Sequence, residues 1–528
     1  MIDAVATGTL DVAIRAACEA WPDSRIVAAS DERPRECTLG ELGAQALQLA
    51  AWLQHVGIGP GDTVAMALPN WLEGLVCQAA ALLSGAAILP ILPNCGPREI
   101  AYMLTNSGAA VLVMPTAFRG RDYRPMLEEL GMLQALRQIV LVGDEVPEAA
   151  LPWDAIHCET STFTPPVIDP LDPAVVVYTS GTTAAPKGVQ HTHRSILAET
   201  FSPVVADGAG PRTSHLCVFP SGHVAALSVA LRILVHGTPT VLMDVWNPQR
   251  AAAVIDQYAI TATAGAPVHL AGLLDARDRG HARLDSLRLC TVGGANVPAA
   301  LIARAEAAGV VACRTYGLSE HPTITAIGPE DPFGKRASTD GRVLPGNQVR
   351  IVDDSDRDVA AGLEGNILSR GAELFSGYRD AALDRDAFVD GWFRTGDVGR
   401  LDTEGYLTVT DRKKDLIIRG GENISSREVE EILASHPRVS EVAAVGAPDE
   451  RLGERVAVFV VLLAGETLEL AEVAAHFQET GSARHKTPEI VRVVSELPRT
   501  AAGKVRKRDL QAVLAAEHRY SSASTEQV

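Results

Sequence analysis

A chain of 528 residues is longer than one hydrophobic core organises, so at least two domains are expected. Its formal net charge of −18 argues against nucleic acid or an anionic membrane as main partner, and any anion it binds needs a local cluster of donors. Eight scattered cysteines (18, 37, 77, 95, 158, 217, 290 and 313) form neither a metal spacing nor a disulfide framework and suit a reducing cytoplasm. The first residues lack the basic flank, compact apolar core and cleavage site of a signal peptide.

In chain order, Leu42, Ala46, Leu49 and Leu53 recur at helical spacing until Gly57. TVAMAL (63–68) reads as a buried strand, WLEGLVCQAAALLSG as a helix and AAILPIL as a strand. The apolar stretch 75–93 is broken by Gly85, Pro90 and Pro93, so it reads as a buried helix and strand and not as a membrane span. PREIAYMLTNSG is a helix and AAVLVM a strand, and this alternation predicts a mostly parallel sheet covered by helices. Further strands are expected at 174–180, 215–221, 238–244 and 287–294. From about 338, short strands such as NQVRIVDD and GNILSRG between Gly/Asp turns predict a β-rich subdomain. Near 411 the texture shifts again to DRKKDLIIRGGENISSREVEEILASHP, where Ser425 and Glu428 form a capping box ahead of a helix stopped by Pro437. The remaining residues suit a small α+β domain, and the tail SSASTEQV reads as unstructured.

One loop carries chemistry. YTSGTTAAPKGV (178–189) follows a buried strand and gathers hydroxyls, glycines and Lys187. Glycine admits an anion to the backbone, hydroxyls and amides donate to phosphate oxygens, and lysine adds a mobile charge. The Walker A pattern is not matched. Lysine is scarce here, seven against forty arginines, so its use at 187 needs a reason. His191 and His193 lie two apart with no third ligand nearby, which does not make a metal site.

YTSGTT..PKGV resembles the phosphate loop of the adenylate-forming enzymes: acyl-CoA synthetases, peptide-synthetase adenylation domains and luciferases. The other signatures of that superfamily follow in its order along nearly the whole chain: VGGA (292–295), TYGLSE (315–320), GWFRTGDVGRLDTEGYL (391–407), DRKKD (411–415), RGGENISSREVEE (419–431) and LPRTAAGKVRKRDL (497–510). Fatty-acid and cyclohexanecarboxylate-type acyl-CoA ligases look most similar.

The resemblance implies an α/β fold. Residues 1–413 would be a large N-terminal domain of helix-covered sheets plus the β-rich subdomain, holding the acid and ATP sites. Residues 414–528 would be a small, mobile α+β C-terminal domain. It implies that Thr179, Ser180, Gly181, Thr182, Thr183 and Lys187 hold the phosphates. Gly294 and Ala295 would lie along adenine, Tyr316 would stack on it, and Gly317 and Ser319 belong to the same signature. Asp397 would bind the ribose hydroxyls, Arg412 would reach the nucleotide, and Glu320, with Thr179, would hold magnesium. Lys504 would be catalytic, with Glu320, Lys187 and Arg412 assisting. Lys414 would be the hinge, and Gly420 and Gly421 would line the thiol's tunnel. The acid would sit against His223, Val224, Gly293 and Gly317.

The implied reaction is ATP-dependent acyl-CoA synthesis with coenzyme A as acceptor. A bulky, cyclic or fatty acid is favoured, because Gly222, Ala225, Ala226, Gly265 and Ala266 leave room. The alternative is an acyl-AMP ligase that hands its adenylate to a carrier protein. A scaffold without catalysis is disfavoured by retention of Lys187, Glu320, Asp397, Arg412 and Lys504. A dimer is compatible with the sequence, which does not fix the oligomeric state. Three departures from the family pattern stand out: Ala184 replaces a usual glycine, Ser319 the commoner threonine, and Ser426 a common proline.

Overall fold

The computed structural model describes residues 8–179, 186–202, 212–419, 422–449, 451–480, 482–500 and 503–525. Two large sheets and a smaller one account for most strands. The first large sheet runs, edge to edge, through Gly377–Tyr378, Lys187–Thr192, Pro173–Thr179, Ala87–Pro90, Thr63–Met66, Ala109–Pro115, Gln138–Val142 and Leu151–Pro152. Its central strands are parallel and buried on both faces, which is why they read as continuous apolar runs.

Helix Leu39–His55 starts at a capping box: Thr38 Oγ1 accepts from Glu41 N, and Glu41 accepts from Thr38 N. Leu42, Ala46, Leu49 and Leu53 point into the core. The apolar stretch beginning near 75 is helix Leu72–Leu83, every residue of which is buried, followed by strand Ala87–Pro90. Together with helix Val224–His236 it belongs to the core cluster shared by the two sheets. Among the described residues no helix is long and apolar enough to cross a membrane.

The second large sheet has a parallel half: Arg25–Ala29, Thr240–Met243, His215–Cys217, Ala262–Gly265, Leu289–Val292 and Val311–Tyr316. The β-rich region joins this sheet directly. Residues 311–314 pair in parallel with Leu289–Val292, whereas Thr315 and Tyr316 pair antiparallel with Thr325–Ala326. From there Gly341–Val343, Tyr406–Arg412, Trp392–Leu401, Gly365–Gly371 and Asn347–Val352 continue the sheet. Short Gly/Asp turns marked these strands in the sequence, but long-range register joins them to one sheet.

Strand Tyr406–Arg412 ends in the large body, and the next strand, Ile417–Arg419, pairs within the small sheet. That sheet pairs Val439–Asp449 with Gly453–Leu462, and Ile490–Val493 lies parallel to the latter. Helices Ser426–Ala434 and Leu470–Glu479 pack on one face through Val429, Leu433, Val473 and Phe477. Helix Lys507–Thr525 packs on the other through Leu510 and Leu514. The alternation of Ala443, Val445 and Ala447 against Ala444 along one strand assigns side chains to the two cores.

Two local expectations are corrected. Ser425 caps its helix by accepting from Glu428 N, but the Glu428 carboxylate pairs with Lys486 Nζ at 2.6 and 2.7 Å, so the box is half formed. A full positive charge is a stronger partner than a backbone amide. Of the tail read as unstructured, residues 521–525 are helical, since no Gly or Pro stops helix Lys507–Thr525, and Glu526, Gln527 and Val528 lie outside the described residues.

Candidate active site

Parallel strands leave their following loops at one edge of a sheet, and ligand sites of open α/β sheets form there. The segments after His215–Cys217, Ala262–Gly265, Leu289–Val292 and Val311–Tyr316 carry His223, His269 in the first turn of helix Pro267–Asp278, Gly293–Ala295 and Gly317–Glu320 to that edge.

Asp397 anchors the arrangement. It is 3% exposed, accepts a 2.7 Å hydrogen bond from Tyr316 Oη, and lies 3.2 Å from Arg412 Nε. Register explains the meeting, since Asp397 sits directly across from Arg412 on paired strands. Burial raises the carboxyl's pKa and Arg412 opposes that rise, while Asp397 lifts the pKa of Arg412. The Tyr316 hydroxyl is pushed well up by burial, so it stays a donor. Tyr316 is itself buried, 9% exposed, and packs with Ile324, Ile367 and Leu407.

Glu320, also 9% exposed, accepts from Tyr378 Oη at 2.8 Å. Tyr378 arrives on a strand paired with Lys187–Thr192, and the Lys187 ammonium lies 5.2 Å from its ring centroid. Lys187 pairs in register with Thr179 across the mouth of the loop they flank. Ser180, Gly181, Thr182, Thr183 and Ala184, with Gly420 and Gly421, lie outside the described residues.

Lys504 comes from the small C-terminal unit. Its loop is tied by Thr500 N to Lys504 O at 2.8 Å and by Arg499 Nη1 to Gly503 O at 2.7 Å. Gly503 has φ +81°, and a Cβ there would lie 3.0 Å from Val268 of the large body. The lysine reaches across to Gly294, also at positive φ: a Cβ on that glycine would stand 3.6 Å from Lys504 Cε. Burial, then Arg412, lowers the Lys504 pKa to about 8, against the pull of Asp397 and Glu320. Lys414 follows two residues after Arg412, and burial and Arg412 lower its pKa.

Beside this cluster, His223 stacks on Phe219 with centroids 5.0 Å apart. His269 meets Phe219 edge-on at 5.5 Å and Trp246 at 4.6 Å. Burial lowers His223 to about 3 and His269 to about 4, so both are neutral near pH 7. His223 Nδ1 accepts from Ala225 N and His269 Nδ1 from Ala266 N, which fixes both tautomers with the proton on Nε2. Val224 begins the helix that His223 caps, and Gly293 and Gly317 lie on neighbouring loops. Gly317 admits no side chain, because a Cβ would fall 1.8 Å from Pro322 O. His191 Nε2 donates to Ser319 O at 2.7 Å, and His193 Nδ1 accepts from Leu10 N at 3.1 Å, so this pair braces backbone.

Phe219 and His269 fall within the segments 219–227 and 264–270 that the sequence suggests for the pocket lining, whereas Tyr378 and Trp246 were not singled out. Tyr378 is 58 residues from Glu320 in the chain and meets it only through strand pairing. Among the described residues no three His, Cys, Asp or Glu side chains group to hold a metal. A single buried carboxylate such as Glu320 nevertheless fits a magnesium ion, which takes one or two carboxylates with substrate phosphates and water. Asn296 Oδ1, next to Ala295, is buried and finds no partner among the described residues, leaving an acceptor for a ligand's amino group.

Fold and site together define a nucleotide-using ligase whose cations and carboxylates converge from two structural units. The sequence models for the AMP-binding enzyme and for the AMP-binding enzyme C-terminal domain match residues 14–379 and 428–504. The chain therefore belongs to the AMP-binding enzyme family; it is an enzyme, an acid–thiol ligase, of a family whose cofactors are ATP and magnesium. It is 34% identical over 500 residues to the medium-chain fatty-acid–CoA ligase of Escherichia coli strain K12, covering 92% of this chain and 87% of the relative. It is 33% identical over 511 residues to the salicyl-AMP ligase/salicyl-S-ArCP synthetase of Mycobacterium tuberculosis, covering 95% and 90%. The o-succinylbenzoate coenzyme A synthetase of Bacillus subtilis, solved with ATP and magnesium ion, superposes with a TM-score of 0.81 at 26% identity, covering 95% and 99%.

Proposed function

We propose that the protein activates a bulky, cyclic or fatty carboxylic acid as its acyl-adenylate and then passes the acyl group to coenzyme A. The observation that carries this reading is the position of Lys504: its side chain comes from one structural unit and lies over Gly294 of the other, where it feels the charges of Arg412, Asp397 and Glu320.

In the first half-reaction a substrate carboxylate oxygen attacks the α-phosphorus of ATP, and pyrophosphate leaves. Both reactants are anions and the nucleophile is weak, so catalysis is mostly alignment and charge compensation. Lys504 would bridge the carboxylate and the α-phosphate. Lys187, beside Tyr378, would attend the departing phosphates, where a compact charge suits better than a planar fork. Asp397, held by Tyr316 and Arg412, would accept from the ribose hydroxyls. Gly294 and Ala295 would border adenine, with Tyr316 and Gly317 beside them. Magnesium held by Glu320, with Thr179, would supply neutralisation of phosphate charge. In the second half-reaction a thiol attacks the acyl carbonyl, a thioester forms and AMP leaves.

His223 and its stacked neighbours would form the acid pocket, with Val224, Gly293 and Gly317. A neutral aromatic wall favours an apolar acyl group over a charged one. Residues 1–413 would form the adenylating domain. Residues 414–528 would swing about Lys414 between half-reactions, replacing Lys504 by the Gly420–Gly421 loop. Eight unpaired cysteines suit a reducing cytoplasmic setting. Transfer to a carrier protein is the second reading, favoured by the likeness to a ligase named for an ArCP product.

The test is acid-dependent pyrophosphate release from ATP over a panel of carboxylic acids, with and without CoA. Turnover that requires CoA and yields a thioester is the expected result. Release that stops near one turnover and is not relieved by CoA assigns the acceptor to a carrier, and no release with any acid overturns the reading.

A further inference from the structure

The scarce lysines hold one more assignment. Lys507 follows Lys504 by three residues and opens the last helix. Its side chain is turned away from Lys504's site: Nζ lies 2.7 Å from Glu430 and donates at 2.7 Å to Ser426 Oγ. Ser426, fully buried, in turn addresses Asp411: its backbone N donates to Oδ2 at 2.6 Å, and its Oγ lies 3.1 and 3.2 Å from the two carboxylate oxygens. The hydroxyl has one proton. Because Lys507 can only donate to Oγ, that proton is left for Asp411, so the chain Lys507–Ser426–Asp411 has one consistent direction.

The partners divide by structural unit. Asp411 belongs to strand Tyr406–Arg412 of the large body. Ser426, Glu430 and Lys507 belong to the small C-terminal unit. A second limb runs alongside. Ser425 Oγ donates to Thr410 O at 2.9 Å, and the Arg427 guanidinium donates to Val409 O and lies 3.7 Å from Asp340. Asp340 is held by buried Arg314 at 2.7 Å. Three successive residues of one strand, Val409, Thr410 and Asp411, are thus gripped by three successive residues at the start of one helix. Every one of these bonds ends on a polar atom that water can satisfy once they part, whereas Lys507–Glu430 remains within the small unit.

We propose that Asp411, Ser426 and Lys507 form a latch across the connection at 413–416. It holds the small unit with Lys504 over Gly294 and opens between the two half-reactions. Lys507 is a positioning residue: it acts by pinning the start of the helix that directly follows Lys504. The inference rests on the two-step reaction proposed above, and it adds the contact that sets how long each arrangement lasts.

Lys507→Met and Asp411→Asn in the full chain test it. The second keeps side-chain size and an oxygen acceptor for Ser426 N, and thermal melting checks that both variants fold. Hydrogen exchange of the segment 503–507, without substrates, is expected to speed up by about tenfold or more in both, with the core strands unchanged. Pyrophosphate-forming activity is expected to fall by a similar factor, while thiolation of supplied acyl-adenylate holds or rises. Equal losses in both half-reactions, or exchange and activity like the parent's, overturn the latch. If the parent enzyme itself releases no pyrophosphate with any acid, the proposed function fails, and the exchange comparison still decides whether the latch exists.

Discussion

The molecule has two joints of different make. Between the two large sheets lie helices Leu72–Leu83 and Val224–His236, packed through Leu, Val and Ala side chains that are almost wholly buried. Between the large body and the C-terminal unit, beside the approach of Gly503 to Val268, the described residues make polar contacts: Asp411 to Ser426, Arg427 to Val409 O, and Ser425 to Thr410 O. Apolar packing gives one best fit and resists rearrangement. Hydrogen bonds traded for water lose little net free energy, so a polar joint suits parts that separate and rejoin. The difference suits the proposed reaction, which needs a fixed pocket and a unit that can move where Lys504 enters.

The sharpest way to break that comparison is Lys504→Ala. Adenylation is expected to fall by about 100- to 1,000-fold, as for removal of one preorganised donor, while thiolation of supplied acyl-adenylate survives. Equal loss in both, followed by pyrophosphate and thioester assays, would deny the two joints separate roles. Leu82→Ala probes the apolar joint instead. It should cost about 2–5 kcal/mol in urea unfolding yet leave the ratio of the two half-reactions unchanged. Asp397→Asn should raise the KM for ATP by about tenfold or more, because a charged acceptor held by Tyr316 and Arg412 becomes neutral; a titration of initial rates with ATP measures it.

The smallest effect concerns stability and pH. Lys504's folded pKa, about 8, lies below its ordinary value of 10.5. The unfolded chain therefore holds this proton more tightly, and the folded state is penalised at pH below about 8. That penalty disappears as pH rises from about 8 to 10.5. Lys504→Met should accordingly gain about 1–3 kcal/mol at pH 7 and gain nothing near pH 11, as read by chemical unfolding at both pH values. A gain independent of pH would trace the effect to packing alone.

Much of this was legible in the sequence because it is local. Helical spacing at Leu42, Ala46, Leu49 and Leu53, the turn at Gly57 and the buried strands near 63 and 109 follow from short-range pattern. Asp397, Arg412 and Lys504 came instead from the motif resemblance, and the fold sets Asp397 beside Arg412. What escaped depends on register between distant segments. Tyr378 meets Glu320 because Gly377–Tyr378 adds an edge strand to Lys187–Thr192. Trp246 meets His269, which lies in the first turn of helix Pro267–Asp278, by an approach that no period encodes. Glu428 looked like the second half of a capping box, and only the folded unit reveals that Lys486 claims its carboxylate.

Strand Val311–Tyr316 carries a consequence for how such an enzyme diversifies. One side pairs with the parallel half of the sheet, and its last two residues pair with the antiparallel half that supplies Asp397 and Arg412. Tyr316, Asp397 and Arg412, proposed above to hold the nucleotide, thus share one beam, and shifting it would disturb all three at once. His223 and His269 instead sit at the starts of two separate helices, Val224–His236 and Pro267–Asp278, outside that strand. If these residues line the acid pocket as proposed, substrate range can drift by exchange there while the shared strand is inherited intact, which makes that pocket the economical place to redesign this protein.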